Sequence, residues 1–298
     1  MIKITNLNKT FGNKKVLENL NCNIQTNSIY GLIGANGAGK STLLRIINDV
    51  YRRDSGSILI DDKEVENNSD VKQNLAFLSD DLYIVQNYTL LDMAKSYQAF
   101  YKNFDMKYLK ELAGILKLDL NTKLDNFSKG MKRQCGLICV LATKAKYLFF
   151  DETFDGLDPV VRNLMKKILT KQMSDNDTTI IMTSHNLREL EDICDNLGIL
   201  YKGGILFESD IDTLKTNMFK VQISLDKEFS EEDFKDLNPL SFKKIGSVAT
   251  IIFKDDRENI EKKLRQMNPV ILDFLSLTLE EIFIYEMEVI GYEFNEII

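Results

Sequence analysis

The chain has 298 residues, of which 44% are hydrophobic and 28% are charged, and its net charge is −7. This length allows two domains, and the acidic balance argues against a dedicated nucleic-acid surface. No apolar stretch approaches the ~20 residues needed to cross a bilayer, and the N-terminus lacks the apolar core of a signal peptide. The scattered cysteines have no metal-ligand spacing and are typical of reduced, buried cytosolic thiols.

Short apolar runs separated by turns predict several strands in residues 2–33, the last of them the buried run Ile29–Ile33. Phe11 lies just before one of these strands. Its ring either stacks on an adenine base or packs in the core, and the local pattern alone favours the core.

The glycine-rich segment GANGAGKST follows that last strand and precedes a helical pattern, Leu43–Ile47. This context of strand, turn and helix is what the phosphate-binding pattern GxxxxGK(S/T) requires. Its glycines allow consecutive N–H groups to converge on one anion at a helix N-terminus. Lys40 can reach the β- and γ-phosphates, and the Ser41 hydroxyl can ligate Mg²⁺. The predicted nucleotide-binding residues are Gly34, Ala35, Asn36, Gly37, Ala38, Gly39, Lys40, Ser41 and Thr42.

Two further short strands are predicted at residues 57–61 and 74–78, and the pattern is then helical to about residue 142. Thr89 is a predicted helix cap, and Ser128 caps the helix that begins within the segment FSKGM. Residues 83–142 therefore form a small helical subdomain inserted in an α/β domain.

Two carboxylates, Asp151 and Glu152, follow the apolar strand Tyr147–Phe150. In a chain with a phosphate-binding loop, the first holds Mg²⁺ through its water shell, and the second orients and polarises the attacking water. The alternative is a strand that simply ends in polar residues. The single histidine, His185, follows the β-branched strand 178–183. Single histidines are more often structural, but ligands of such sheets lie beyond the carboxyl ends of the strands.

The order of the motifs GANGAGKST, FSKGM, YLFFDE, FDGLDP and a histidine after a strand resembles the ATP-binding subunit of an ABC transporter. The resemblance covers residues 1 to about 215 and implies a P-loop ATPase core that works as a head-to-tail dimer. It implies that Phe11 stacks on adenine, that Asp158 contacts the second subunit and that His185 contacts the γ-phosphate. In this family the signature motif binds the γ-phosphate held by the other protomer. The residues that match it are Ser128, Lys129, Gly130 and Met131.

Some positions depart from the family pattern. The signature motif usually carries glycine where Lys129 stands and glutamine where Met131 stands, and proline is common in place of Thr153. Asp80 stands where the family often has glutamine, and an ionised carboxylate accepts hydrogen bonds but cannot donate them. We expect that Asp80 still meets Mg²⁺ but couples ATP binding to the membrane subunit differently.

Residues 216–298 are predicted to form a second, small α+β domain. The order β-α-β-β-α-β between residues 219 and 274 is that of a ferredoxin-like sandwich. One face of the last helix, at 277–288, carries an apolar stripe, which usually packs on its own domain. The alternative is a contact with a second copy of the subunit, which would make this a dimerisation domain. The stripe consists of Leu279, Ile282, Phe283 and Met287.

The resemblance implies an ATPase that uses ATP and Mg²⁺. It also implies a dimer, for which we expect two identical subunits. A separate permease subunit would hold the ATPase at the inner face of the membrane. The ending SLTLEEIFI is similar to that of ATPase subunits of bacterial drug and peptide exporters, including exporters of peptide toxins of the phenol-soluble modulin type. The rival interpretation is a soluble ABC ATPase acting on ribosomes or nucleic acid, which usually has two cassettes or long coiled-coil insertions. A regulatory subunit that binds ATP without cleaving it is disfavoured by the presence of Glu152 and His185.

Overall fold

The chain divides into two compact units, Met1–Glu208 and a second unit that begins at Ser209. The structure, a computed structural model, describes residues 1–154 and 157–289. The boundary predicted at residue 215 lies a few residues beyond this division. Over the described ranges, no helix is both long and apolar enough to cross a bilayer.

The first unit is an α/β assembly, as predicted. Its strands are β1 (Ile2–Phe11), β2 (Lys14–Ile24), β3 (Ile29–Ile33), β4 (Ser55–Ile60), β5 (Lys63–Glu64), β6 (Leu75–Leu78), β7 (Tyr147–Asp151), β8 (Thr179–Ser184), β9 (Asn196–Tyr201) and β10 (Gly204–Asp210). Its helices are α1 (Lys40–Ile47), α2 (Ser69–Lys72), α3 (Leu90–Phe100), α4 (Met106–Ile115), α5 (Lys129–Ala142), α6 (Pro159–Asn176) and α7 (Leu187–Glu191).

A six-stranded sheet with the order β10-β9-β3-β8-β7-β6 forms the centre of this unit. Strands β3, β7 and β8 are buried at every position, which is typical of parallel strands covered on both faces. Ile33 pairs with Ser184, Asp151 with Thr183, and Leu78 with Phe150. The carboxyl ends of four parallel strands therefore meet at one edge.

A second sheet of the first unit is antiparallel, with the order β2-β1-β4-β5. Its inward residues Ile2, Ile4 and Leu7 pack in one hydrophobic core with α1 residues such as Leu44 and Ile47. The core thus fixes the first turn of α1, where the predicted phosphate-binding loop ends.

The helical subdomain contains α3, α4, α5 and a short 3₁₀ helix, Leu124–Asn126. Both predicted caps are confirmed. The Thr89 side chain accepts the N–H of Asp92 in a capping box, and the Ser128 side chain accepts the N–H of Met131. All four cysteines are buried and free, and burial raises the pKa of the Cys135 thiol to about 12.

The second unit contains α8 (Ile211–Asn217), β11 (Met218–Ser224), β12 (Ser241–Ile245), β13 (Val248–Lys254), α9 (Arg257–Gln266), β14 (Ile271–Leu275) and α10 (Leu279–Val289). Its sheet has the order β12-β13-β11-β14, and all pairs are antiparallel.

This strand order is the one expected of the predicted ferredoxin-like sandwich. The first helix of that pattern is a short 3₁₀ helix, Glu231–Leu237, which ends at Asn238 in the left-handed conformation. Leu279, Ile282 and Phe283 are fully buried in the single chain. They therefore do not form an exposed stripe for a second copy, while the side chain of Met287 lies outside the described residues.

Candidate nucleotide site

The glycine-rich loop follows β3 and leads into α1, which begins at Lys40. Gly39 has a φ of +113°, and a Cβ there would lie 2.8 Å from Leu17 Cδ2. A Cβ at Gly34 would lie 2.5 Å from the carbonyl oxygen of Leu200. Gly39 is therefore required by its backbone conformation, and Gly34 is required by its close neighbour.

Lys40 places a buried ammonium inside the loop. Its side chain is only 4% exposed. Nζ donates to the carbonyl oxygens of Gly34 at 2.6 Å and Ala35 at 3.3 Å, and it lies 3.4 Å from Glu152 Oε1. A buried cation with carbonyl and carboxylate partners, beside a helix N-terminus, is suited to bind phosphate.

Asp151 ends β7 and is fully buried. Its Oδ1 accepts a hydrogen bond of 2.7 Å from the Thr183 hydroxyl. Its Oδ2 has no hydrogen-bond partner among the described protein atoms. A buried carboxylate oxygen without a donor among the described protein atoms fits a hard cation such as Mg²⁺ and its water shell.

Glu152 follows with a φ of +45°, in the left-handed region that non-glycine residues rarely adopt. Its N–H donates to the Thr183 hydroxyl at 3.0 Å, and its Oε2 lies 3.7 Å from Nδ1 of His185. The structure thus brings Lys40, Asp151, Glu152 and His185 together. The motif order predicts that these residues act at one site, and their roles there stay predictions.

The turn that carries His185 is braced by residues that the sequence pattern does not single out. Ser184 Oγ accepts the N–H of Asn186 at 2.9 Å and donates to Glu189 Oε2, also at 2.9 Å. Glu189 in turn forms an ion pair of 3.1 Å with Arg162 in α6. A side-chain network therefore connects the His185 turn to the helix that follows the loop containing Asp158.

The signature segment lies at the surface. Ser128 and Lys129 are exposed, and Gly130 and Met131 are half-buried. Asp158 caps α6, because its side chain accepts hydrogen bonds from the N–H groups of Val160 and Val161. Its contact with a second subunit stays a prediction. Thr153 is buried, and its hydroxyl donates to the carbonyl oxygen of Asp151 at 3.3 Å, so it takes part in packing beneath the site.

Phe11 is the last residue of β1, and its side chain is not part of the core. It is 44% exposed, with an edge-to-face contact of 5.5 Å to the Tyr51 ring and with Lys9 Nζ 5.0 Å from its centroid. The core packing favoured by the local pattern is therefore wrong, because the strand ends at this residue. The role in adenine stacking stays a prediction.

Asp80 follows β6 and forms an ion pair with Arg133 of α5. The Arg133 side chain is 9% exposed, whereas that of Asp80 is 43% exposed. Lys129 and Lys132 line the same groove of about 370 Å³. The carboxylate at this position thus faces a cation of the helical subdomain, and its contact with Mg²⁺ stays a prediction.

Comparison with known proteins identifies the family. The family model described as ABC transporter matches residues 17–155. The lantibiotic transport ATP-binding protein SrtF of Streptococcus pyogenes is 32% identical over 231 residues, which cover 76% of this chain and 99% of that protein. The chain belongs to the ABC transporter ATP-binding proteins. The ABC transporter ATP-binding protein YtrB of Bacillus subtilis (strain 168) is 29% identical over 284 residues, covering 95% of this chain and 97% of that protein.

A solved structure supports the fold of this ABC ATPase. The dimeric post-hydrolysis structure of the ATP-binding cassette MJ0796, bound to ADP and Pi, superposes with a TM-score of 0.64 at 20% identity. It covers 71% of this chain and 99% of that chain. Its family membership makes the chain an ATP-binding subunit of the ABC ATPase type, and the assignment of the groups around Lys40 to its nucleotide site stays a prediction.

A first prediction concerns Gly39. The substitution G39A should lower the free energy of unfolding by roughly 1–3 kcal/mol, because it places a Cβ in a left-handed conformation against Leu17. The matched control is G114A in α4, where a Cβ meets nothing within 4 Å; it should be neutral or stabilising by up to about 1 kcal/mol. Urea unfolding of both variants measures the difference, and equal stabilities would contradict the loop geometry.

A second prediction concerns the ion pair of Asp80 and Arg133. A double-mutant cycle with D80N and R133M, followed by urea unfolding, should give a coupling of roughly 1–2 kcal/mol, because Arg133 is almost buried. The same cycle on the exposed pair of Lys15 and Glu18, with K15M and E18Q, should give no more than about 0.5 kcal/mol. Equal coupling energies for the two pairs would show that the ion pair of Asp80 and Arg133 does not stabilise the packing of the loop after β6 against α5.

Proposed function

We propose that this chain binds and hydrolyses MgATP as a head-to-tail pair of subunits and thereby powers a transporter whose permease is a separate chain. The observation that carries the proposal is that the motifs lie in two separate places on the chain. Lys40, Asp151, Glu152 and His185 converge at one sheet edge, while Ser128 and its neighbours are presented at the surface at the start of α5.

Hydrolysis at this site would depend on positioning and on charge stabilisation. Lys40 would bind the phosphates, and the N–H groups at the start of α1 would add donors to the same oxygens. Glu152 would accept the proton of the attacking water, and His185 would contact the γ-phosphate and keep the Glu152 carboxylate in place. Phe11, exposed at the end of β1, would stack on the adenine.

A magnesium ion fits this site, with Ser41 and Asp151 as the residues that would hold it, and Asp80 as the further ligand that the motif position suggests. Bound there, the ion would neutralise charge on the phosphates. Asp151 would supply the buried oxygen that has no partner among the described residues, and Ser41 would supply a hydroxyl from the first turn of α1. The described residues contain no cluster of three or more His, Cys, Asp or Glu side chains for a metal, so most of the remaining ligands would be water and phosphate oxygens.

The second subunit would complete the site. Its segment Ser128–Met131 would lie against the γ-phosphate, with the N–H groups at the start of α5 as donors. Lys129 stands where the family has a small residue, and its exposed ammonium would add positive charge near the same phosphate. Asp158 would lie at the contact between the subunits. A homodimer is the simplest assembly that supplies both halves.

The permease would bind at the grooves beside the helical subdomain. One groove, of about 480 Å³, lies between α2, β6 and α3 and is lined by aromatic rings, including Phe77, Tyr97 and Phe100. Phe100 is 75% exposed, and the groove beside Asp80 carries the 86% exposed Tyr83. Exposed aromatic side chains next to shallow clefts are typical of protein interfaces. This contact would hold the subunit at the inner face of the membrane.

Export of a peptide or a drug is the proposed transport reaction. The similarity to a lantibiotic transport ATP-binding protein supports it, as does the ending SLTLEEIFI. The rival, a soluble ATPase acting on ribosomes or nucleic acid, receives no support from the net charge of −7. The permease encoded beside this gene, and the compound that it moves, would distinguish export from import.

The substitution E152Q tests the hydrolytic role. It should lower kcat for ATP by about 10²–10⁴-fold, because an amide cannot accept the proton of the attacking water. ATP binding should persist, and an ATP-dependent dimer should accumulate in size-exclusion chromatography. The control is E111Q in α4, an exposed glutamate, which should hydrolyse ATP at the unmodified rate. Turnover by E152Q at that rate would remove Glu152 from the mechanism.

The substitution F100E tests the permease groove. When this chain is produced together with the membrane protein encoded next to it, F100E should reduce co-purification by about tenfold, because it places a charge among aromatic rings. ATP hydrolysis by the isolated variant should be unchanged. I115E alters another exposed apolar residue, at the end of α4, and should co-purify normally. Equal recovery of both variants would place the permease elsewhere.

A further inference from the structure

One hydroxyl group contacts both acidic residues of the nucleotide site. Thr183, in β8, is 3% exposed and lies opposite Asp151 in the parallel register. Its Oγ1 donates to Asp151 Oδ1 at 2.7 Å and accepts the backbone N–H of Glu152 at 3.0 Å. A threonine hydroxyl has one donor and two acceptor lone pairs, so it can make both hydrogen bonds at once.

The first hydrogen bond decides how the Asp151 carboxylate is oriented. Asp151 is fully buried, so each of its oxygens needs a partner that the surroundings supply. Thr183 satisfies Oδ1, and Oδ2 is left without a partner among the described protein atoms. Because the hydroxyl holds one oxygen, the carboxylate presents the other oxygen to whatever occupies the site.

The second hydrogen bond holds the backbone where β7 ends. The parallel ladder between β7 and β8 extends to the pair of Asp151 and Thr183. The next residue, Glu152, has a φ of +45°. Its N–H donates to the Thr183 side chain, directly before this left-handed turn. This hydrogen bond thereby stabilises a conformation that places the Glu152 carboxylate 3.4 Å from Lys40 Nζ and 3.7 Å from Nδ1 of His185.

We propose that Thr183 is a positioning residue for ATP hydrolysis, which acts by orienting Asp151 toward the metal and by anchoring the backbone of Glu152. This inference rests on the proposed roles of those two residues. Thr183 acts through Asp151 and Glu152, the two residues that its hydroxyl contacts. A valine has nearly the same shape but no hydroxyl, so packing alone would not need threonine at this position.

Two substitutions at Thr183 distinguish the effect of its hydroxyl group from the effect of its packing. T183V keeps the shape and removes both hydrogen bonds, and T183S keeps the hydroxyl. T183V should lower kcat for ATP by about 10–100-fold, the range found when the residue that orients a metal ligand is lost. It should also weaken the effect of Mg²⁺ on ATP binding, while binding in EDTA is unchanged. T183S should restore both properties to within about threefold.

A third measurement needs neither metal nor nucleotide. Amide hydrogen exchange in the nucleotide-free protein, followed on a peptide spanning residues 147–154, should show faster exchange in T183V, because the N–H of Glu152 loses its acceptor. T183S should keep the slow exchange. The control is T179V at the other end of β8, where the buried hydroxyl accepts the N–H of Asn27 at 2.9 Å. It removes one comparable hydrogen bond far from the acidic pair, and its catalytic rate and its exchange over 147–154 should stay unchanged.

The inference fails if T183V folds and has the kcat, Mg²⁺ response and exchange of the unsubstituted protein. It also fails if T179V reproduces all the effects of T183V, since the cause would then be loss of stability. If T183V does not fold, T183A replaces it in the same comparison with T183S. E152Q, measured in parallel, separates this test from that of the proposed function. An inactive E152Q beside a normal T183V rejects only the role of Thr183, whereas a fully active E152Q rejects the proposed mechanism itself.

Discussion

The parallel register of β3, β8 and β7 is the constraint on which the nucleotide site depends. It places Ile33 beside Ser184 and Asp151 beside Thr183, so that the residues following each strand share one edge of the sheet. Because side chains alternate between faces, a slip of one residue would move Asp151 and Thr183 to opposite faces. All three strands are buried throughout, so apolar packing on both faces opposes such a slip.

The same edge concentrates groups that are unfavourable elsewhere in a protein. Lys40 is a buried cation, Asp151 has a buried oxygen with no partner in the part of the chain that the structure describes, and Glu152 has a left-handed backbone. Each of these costs free energy, of the order of 1–3 kcal/mol for the backbone conformation alone. Neighbouring groups offset part of this cost: Glu152 and two loop carbonyls pair with Lys40, and Thr183 accepts the N–H of Glu152. Such a cluster is expected where charges must be held in place before substrate binds.

The sequence predicted the features that depend on local pattern. The glycine-rich turn between β3 and α1, the caps at Thr89 and Ser128, and the order of the elements in the second unit follow from motifs and from turn chemistry. It did not predict Thr183, because a threonine in a β-branched strand is indistinguishable from a core residue. The partners of Ser184 were not predicted either. At Phe11 the local pattern favoured the core, whereas the family resemblance implied stacking on adenine. These properties arise from residues that are distant in sequence and meet only in the folded sheet.

Asp80 shows how a departure from the family pattern can be balanced within one chain. A carboxylate in place of an amide adds a negative charge, and the nearly buried Arg133 supplies the opposite one. Arg133 lies in the helix whose first turn contains Lys129 and Met131, two of the other positions that depart from the family pattern. The loop after β6 and the start of α5 are therefore connected by a charged hydrogen bond, which the Arg133 guanidinium donates to the Asp80 carboxylate. Separating the loop from the helix would remove the Asp80 carboxylate from the nearly buried Arg133, which would cost free energy. The two segments are therefore expected to move together when the nucleotide site changes.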